Sequence, residues 1–425
     1  MVAGSAPVAS GSSARGQGRA SVWLARLESP LAAYYLVLGS VVALVAIGLV
    51  MVLSSSNIES YVDNDGNSYA VFSKHAMFAA FGLPLAWVAS RVSIRAWKAL
   101  AWPALGVSVL SLLAVAAVGT TVNGNRNWLA LGPITVQPSE AAKLALVVWA
   151  AAVLSRKQSL LNQSMHVLVP VVPGALMLLA LVMLGHDLGT ALVLVGIVAG
   201  LLFTAGAPAR VFAGGGALAA GVIAALVVSS PNRMQRIGAW SGRAQCDYYA
   251  TCWQSTHGLW GLATGGWWGV GLGASREKWS WLPEAHNDYI FAVIGEELGL
   301  AGTLAVLVLF AALGIGLFRL VIASDDLFVK IATGGVLAWV LGQAIINIGT
   351  VLGILPVIGL PLPLVSSGGS ALVMTLIALG MVLGFARRVP GAPEALAARP
   401  RIVHRSFAVL PRRVSSRARQ SSRRR

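Results

Sequence analysis

Charge is what this chain has least of: Asp, Glu, Lys and Arg make up 11% of its 425 residues. Set beside 57% hydrophobic residues and a mean hydropathy of +0.76, that scarcity excludes a soluble globular domain. Cysteine is almost absent, with Cys246 and Cys252 alone, which excludes a disulfide scaffold and a cysteine-built metal centre. There is no Walker motif, no dinucleotide fingerprint and no metal-type Cys/His spacing. No 20–50-residue period or heptad pattern recurs. Residues 1–28 are rich in Gly, Ser and Ala, carry Arg15, Arg19 and Arg26, and lack an apolar core. They read as a disordered cytoplasmic tail rather than a cleavable signal.

What the chain does have is a succession of apolar runs, long enough to cross the ~30 Å hydrocarbon core of a bilayer. They fall at 31–53, 73–90, 97–118, 139–155, 166–184, 187–205, 210–229, 289–318, 328–352 and 369–386. A closed barrel would instead show alternating segments of about 10 residues. The expected fold is therefore all-α and polytopic, with ten transmembrane helices in a domain spanning 29–388. Arg91, Arg95, Lys98, Arg156, Lys157, Arg210, Arg319, Lys330, Arg387 and Arg388 all fall on one side of this arrangement. The positive-inside rule makes that side cytoplasmic, with both termini. The opposite side receives Glu59, Asp63 and Asp65, the 119–138 loop, a long loop at 230–288 between helices 7 and 8, and the 353–368 segment. Chemistry is expected on that outer face.

The formal net charge of +16 comes largely from arginines of a basic, disordered cytoplasmic tail at 389–425. Phe407 is its only aromatic residue, so base stacking, and with it nucleic-acid binding, is not expected. Attraction to anionic lipid, or to an acidic protein tail, accounts for such a composition. Cys246 and Cys252, six apart in a loop placed outside, are a candidate disulfide.

Four stretches carry the chemistry. In Lys278–Leu300, Lys278, Glu284, His286, Asp288, Glu296 and Glu297 crowd the mouth of an apolar run. Asp288 reads either as a general base at the water–membrane boundary, with His286 and Glu284 beside it, or as the N-terminal cap of the eighth span. In Gln137–Lys143, Glu140 and Lys143 stand three apart on one helix face. They are either a neutralised pair or a lysine aimed at an anionic head group and oriented by the glutamate. Arg233, Arg236, Arg243, Arg276 and Lys278 put positive charge outside, as solvated loop charge or as a diphosphate-binding set. Gly359–Ser370, with Ser366 and Ser367, reads as a loop or as a re-entrant, hydroxyl-lined wall. His186-Asp187 reads as a tight structural turn.

The motifs LPEAHNDYIFAVIGEELG (282–299), QPSEAAKLAL (137–146), HDLGTALVL (186–194) and INIGTVLGILPVIGLPLPLVSSGGSAL (346–372) resemble those of the SEDS family of FtsW, RodA and SpoVE proteins. The resemblance runs in order through residues ~30–388. It implies ten membrane helices and a peptidoglycan glycosyltransferase that polymerises lipid II alongside a class B penicillin-binding protein. It also places the family's essential loop aspartate on Asp288, and its QPSE-x-x-K glutamate and lysine on Glu140 and Lys143. Three positions depart from the family pattern. His186 stands for a proline, Asn127 for a basic residue, and Ser367 for a tyrosine. The GEELG closure and extended tails are more similar to the division-type members than to the elongation-type RodA.

The sequence thus leads to inverting glycosyl transfer at the outer surface, with Asp288 catalytic and Lys143, Glu140, Arg233, Lys278, His286, Glu284, Gln137, Ser366 and Ser367 as substrate- or diphosphate-binding candidates. A divalent cation, Mg or Mn, is an optional partner in that chemistry. A lipid II flippase and an activating scaffold are the rival readings. The expected setting is the septum, with other divisome membrane proteins and an FtsZ-like acidic tail as further partners.

Overall fold

The computed structural model describes residues 31–122, 125–132, 134–160, 164–242 and 252–392. Both expected tails, apart from residues 389–392, lie outside the described residues, as does Cys246. Every apolar run expected to span appears as helix. These are α1 (Ala32–Asp63), α2 (Ala70–Ala89), α3 (Ile94–Val118), α4 (Pro138–Arg156), α5 (Ser164–Leu168), α6 (Val171–Leu184), α7 (Leu188–Thr204) and α8 (Ala209–Val228). After two shorter helices, α9 (Pro231–Trp240) and α10 (Trp253–Gly265), come α11 (Ile290–Ala323), α12 (Leu327–Val351) and α13 (Gly369–Ala386). Eight of these are long and apolar enough to cross a membrane, and α6 and α7 are shorter apolar helices. The chain is a multi-pass membrane protein.

Helix α4 organises the bundle. Almost all of its residues from Ala142 to Leu154 are buried, and α3, α6, α7, α12 and α13 pack around it. A helix apolar on every side has nowhere to go but the interior. Pro138 takes its first helical position behind an extended Gln137, where a missing N–H costs nothing. Pro208 is the N-cap of α8. Outside this centre, α2 lies on α13, and α11 lies on α1 and α12.

Two expected loops are more ordered than loops. The 119–138 segment forms an antiparallel meander of β1 (Thr120–Val122), β2 (Asn125–Leu131) and β3 (Ile134–Val136), in register Leu129↔Val136 and Ala130↔Thr135. The 230–288 segment contains α9 and α10, and α10 packs along α11.

That packing depends on a break in α11 at Gly299, whose φ of 67° and ψ of −163° are open essentially to glycine alone. The chain after α10 supplies the partners that the broken helix lacks. Gly266 and Trp267 carbonyls accept from Leu300 and Ala301 N–H, while Val270 and Gly271 N–H donate to Glu296 and Glu297 carbonyls. A Cβ on Gly299 would run into the Gly269 backbone nitrogen. Gly299→Ala is therefore expected to destabilise by about 1–3 kcal/mol from the backbone conformation alone. Hydrogen exchange should report it as lost protection of the Val270 and Gly271 amides, and unchanged protection would contradict this account of the break.

Candidate active site

The Asp288 carboxylate sits on a tight turn that its neighbours fix from several directions. Glu284, at φ 54°, offers its carbonyl to the N–H groups of Asn287 (3.0 Å) and Tyr289 (3.2 Å). The carbonyls of His286, Asn287 and Asp288 are each held by a different donor. Ser367 N–H reaches His286 O at 3.0 Å, Ser366 Oγ reaches Asn287 O at 2.7 Å, and Asn347 Nδ2 reaches Asp288 O at 2.7 Å. Asn347 also donates to Leu360 O at 2.7 Å, and Ser366 Oγ accepts from Leu362 N–H. The 359–368 segment is thus stitched to the turn from α12 and from its own serine. Tyr289, not Asp288, occupies the N-cap of α11, and no side chain caps that helix. The capping reading of Asp288 is thereby corrected.

The turn forms one wall of a cavity of about 890 Å³. Gln137 and Glu140 at the start of α4, Asp187 between α6 and α7, and Arg233 and Arg236 on α9 line it together with Glu284, Asn287, Asp288 and Ser367. The Gly359 backbone comes close enough that a Cβ there would lie 3.3 Å from Asp288 Oδ2. With φ at 77°, glycine suits both the conformation and the approach. Asp187 caps α7 through Thr190 N–H (2.8 Å) and accepts from Gln137 Nε2 at 3.2 Å, as a structural turn should.

Electrostatics single out Asp288. Burial, then the Glu284 charge, push its carboxyl up to about 7, against the downward pull of His286 and Arg236, and Asp187 adds a smaller upward push. A carboxyl in that range can exchange a proton near neutrality. Arg233 spends Nη1 on Leu226 O at 3.0 Å and Nη2 on His186 O at 3.4 Å. Arg236 makes a long bond of 3.5 Å to Val357 O. A guanidinium has five N–H donors, so both keep donors for an anion in the cavity.

Several sequence candidates lie elsewhere. Lys143 is fully buried and does not line the cavity. It pairs with Glu140 at 2.8 Å, donates to Gln343 Oε1 at 3.1 Å and lies over the Trp339 ring. Gln343 passes the contact on to Pro361 O at 2.8 Å, so Lys143 braces the 359–368 segment rather than reaching out to a ligand. Lys278 is also buried, tied to Gly273 O and Ser54 O and 3.6 Å from Glu297. Glu297 accepts in addition from Ser54 Oγ, and Glu296 from Arg276 N–H and Ser275 Oγ. The GEELG carboxylates therefore clamp the 273–278 loop. Ser366 is likewise committed to backbone. Cys252 is buried and disulfide-bonded. Among the described residues no group of three or more His, Cys, Asp or Glu side chains could hold a metal ion.

His286 faces away from the cavity, its Nδ1 3.0 Å from Glu59 Oε2 of α1. Burial disfavours its charged form, but Glu59, Glu284 and Asp288 outweigh that and raise its pKa. A histidine with a raised folded-state pKa contributes stability that is present in full below about 6.5 and fades as pH rises through the raised value. Glu59→Gln is therefore expected to speed hydrogen exchange in the 284–288 turn at pH 6 and to matter progressively less toward pH 9. An effect independent of pH would contradict the pairing. Asn347 and Gln343 are the site residues the sequence reading left out, and they share a face of α12 at a spacing of four.

Comparison with known proteins finds relatives over most of the chain. The family described as cell cycle protein, FtsW/RodA/SpoVE, matches residues 34–389. A probable peptidoglycan glycosyltransferase FtsW of Mycobacterium tuberculosis is 38% identical over 390 residues, 91% of this chain and 73% of the relative. The one from Thioalkalivibrio sulfidiphilus is 40% identical over 354 residues, 81% of this chain and 87% of the relative. Among solved structures, a peptidoglycan synthase complex that coordinates polymerization and crosslinking aligns with a TM-score of 0.67 at 29% identity, over 83% of this chain and 97% of that one. Rod shape determining protein RodA of Thermus thermophilus aligns at 0.58 and 28%, over 84% and 97%.

Proposed function

The chain belongs to the FtsW/RodA/SpoVE family, and from that premise we propose how its cavity works. It is a peptidoglycan glycosyltransferase of septal cell-wall synthesis, as its FtsW relatives are named. Its substrate in this proposal is lipid II, taken at the outer face of the cytoplasmic membrane, with both termini cytoplasmic. Asp288 acts as general base, removing the proton from the 4-hydroxyl of the acceptor's N-acetylglucosamine. The freed oxygen pair attacks the anomeric carbon of the lipid-linked donor. The bond from that carbon to the diphosphate breaks with inversion, and undecaprenyl diphosphate leaves with the electron pair. Arg233 and Arg236 meet the charge that builds on the diphosphate. Asp187 and Glu284, the cavity carboxylates beside Asp288, would be the residues to hold a divalent cation, Mg or Mn, which would supply further positive charge for the diphosphate.

The observation that carries this chemistry is a carboxyl poised near neutrality at a cavity that also presents two guanidinium groups. A glycosyl transfer of this kind needs both a base and a home for a diphosphate. Glu140, held by Lys143, and Gln137, held by Asp187 and Ser370, complete the floor. The partner in this reading is a class B penicillin-binding protein, supported by the alignment with a peptidoglycan synthase complex. Other divisome membrane proteins would join it at the septum, and the basic segment after residue 388 would meet an FtsZ-like acidic tail.

Reconstitution with lipid II tests the reading. The purified protein and its penicillin-binding partner, in proteoliposomes, should convert lipid II to glycan polymer. Translocation of lipid II without polymer would favour a flippase and overturn the proposal.

A further inference from the structure

From the lower end of α10 we infer a lipid contact: the Trp267–Trp268 turn is an interfacial anchor that seats in the head-group layer of the outer leaflet. The inference rests on the orientation proposed above, and its first support is depth. Trp267 O accepts from Ala301 N–H, which fixes the turn at the level of the α11 break. From Gly299 to the basic Arg319 is a helical rise of about 30 Å, the thickness of the hydrocarbon core. With Arg319 at the cytoplasmic boundary, the turn lies at the outer one.

Composition supplies the second support. No Asp, Glu, Lys or Arg occurs between Asp247 and Arg276, an unusual run for a segment expected in water. Its most prominent side chains are Trp267, 74% exposed, and Trp268, 85% exposed. Tryptophan at head-group level is the typical membrane anchor, with an apolar ring facing the acyl chains and an N–H facing water. Leu300, Leu304 and Val308, exposed on α11 just below, continue the surface into the hydrocarbon. The Gly266 and Trp267 carbonyls and the Val270 and Gly271 N–H groups are bonded to α11, which goes toward the main condition for burying irregular chain at that depth.

A consequence follows for the site. The same segment is joined to the 277–281 stretch that leads into the Asp288 turn by the Trp253–Trp281 stack and by His257, whose Nδ1 lies 2.6 Å from Glu277. Anchoring the turn at the membrane surface thus helps set the height of Asp288, whose carbonyl is held by Asn347 about 26 Å above Lys330 along α12. That is a level for sugars carried on a lipid diphosphate.

Hydroxyl-radical footprinting of the unsubstituted protein in phosphatidylethanolamine/phosphatidylglycerol vesicles tests this without assuming the activity. Trp240 and Tyr61 are less exposed than the pair, at 49% and 58%. If lipid covers the turn, Trp267 and Trp268 are oxidised several-fold less than either. Oxidation in proportion to exposure would overturn the inference. Nitroxide labels at Trp268→Cys and Arg276→Cys give the second reading. Oxygen collisions should dominate at the first and those of a water-soluble nickel chelate at the second. Nickel dominance at position 268, or exclusion of both reagents as beneath a protein partner, would also overturn it.

Discussion

The Asp288→Asn substitution is expected to lower lipid II polymerisation by about 10²–10⁴-fold, the range that general base catalysis supplies. The fold should survive it. The turn is held through its backbone by Ser366, Ser367 and Asn347, and asparagine keeps the shape of the side chain. Stability should in fact rise. A carboxyl raised to about 7 in the folded state, against an ordinary value near 4, loses folding free energy when it ionises. That loss begins as pH climbs past the unfolded value and is complete above about 7. At pH 8 the variant should therefore outlast the unsubstituted protein in a thermal aggregation assay while making almost no polymer. An inactive and less stable variant would point to a structural role for Asp288 instead.

Lys143→Met is expected to act through the opposite balance, losing activity because structure is lost. Lys143 is sealed inside the protein with Glu140 at 2.8 Å and Gln343 at 3.1 Å. Removing one member of a buried pair typically costs about 3–5 kcal/mol, since the remaining charge is left uncompensated. Gln343 would also lose its grip on the lysine while still holding Pro361 O, loosening the 359–368 segment under the Asp288 turn. Adding Glu140→Gln to Lys143→Met should restore much of the stability, because the orphaned charge goes with it. If Glu140 contributes to the cavity floor as proposed, polymerisation stays low in that double variant. Full recovery of activity would reduce the pair to a neutralised packing element. A thermal melt and a polymerisation assay on the three proteins separate these outcomes.

The sequence carried the bundle well because hydropathy alone identifies a membrane span, and every run expected to span is helical. It missed the β-meander, whose outer strands have three residues each and too little length for alternation to show. It also read α10 as outer loop, since its thirteen residues are too few to span and its Gly/Trp composition resembles neither loop nor core. Asp288 was legible because a carboxylate stands out in a chain so poor in charge. Lys143, Lys278 and His286 were placed in the site for the same reason. The Glu140–Lys143 pair was legible from its spacing of three, but which distant partner claims a charge, here Glu297 for Lys278 and Glu59 for His286, is written in packing. Asn347 and Gln343 left a signal that could have been used, as two amides four residues apart within an apolar span.

The measurement closest to the central claim is the pH dependence of kcat/KM for lipid II polymerisation by the partner-bound protein. With Asp288 as the base, the rate should rise tenfold per pH unit on the acid side, bend near pH 7, and level off above it. The residual activity of the Asp288→Asn variant should lack that limb. A flat profile between pH 5.5 and 8.5, or the same limb in the variant, would contradict the assignment of Asp288 as the proton acceptor.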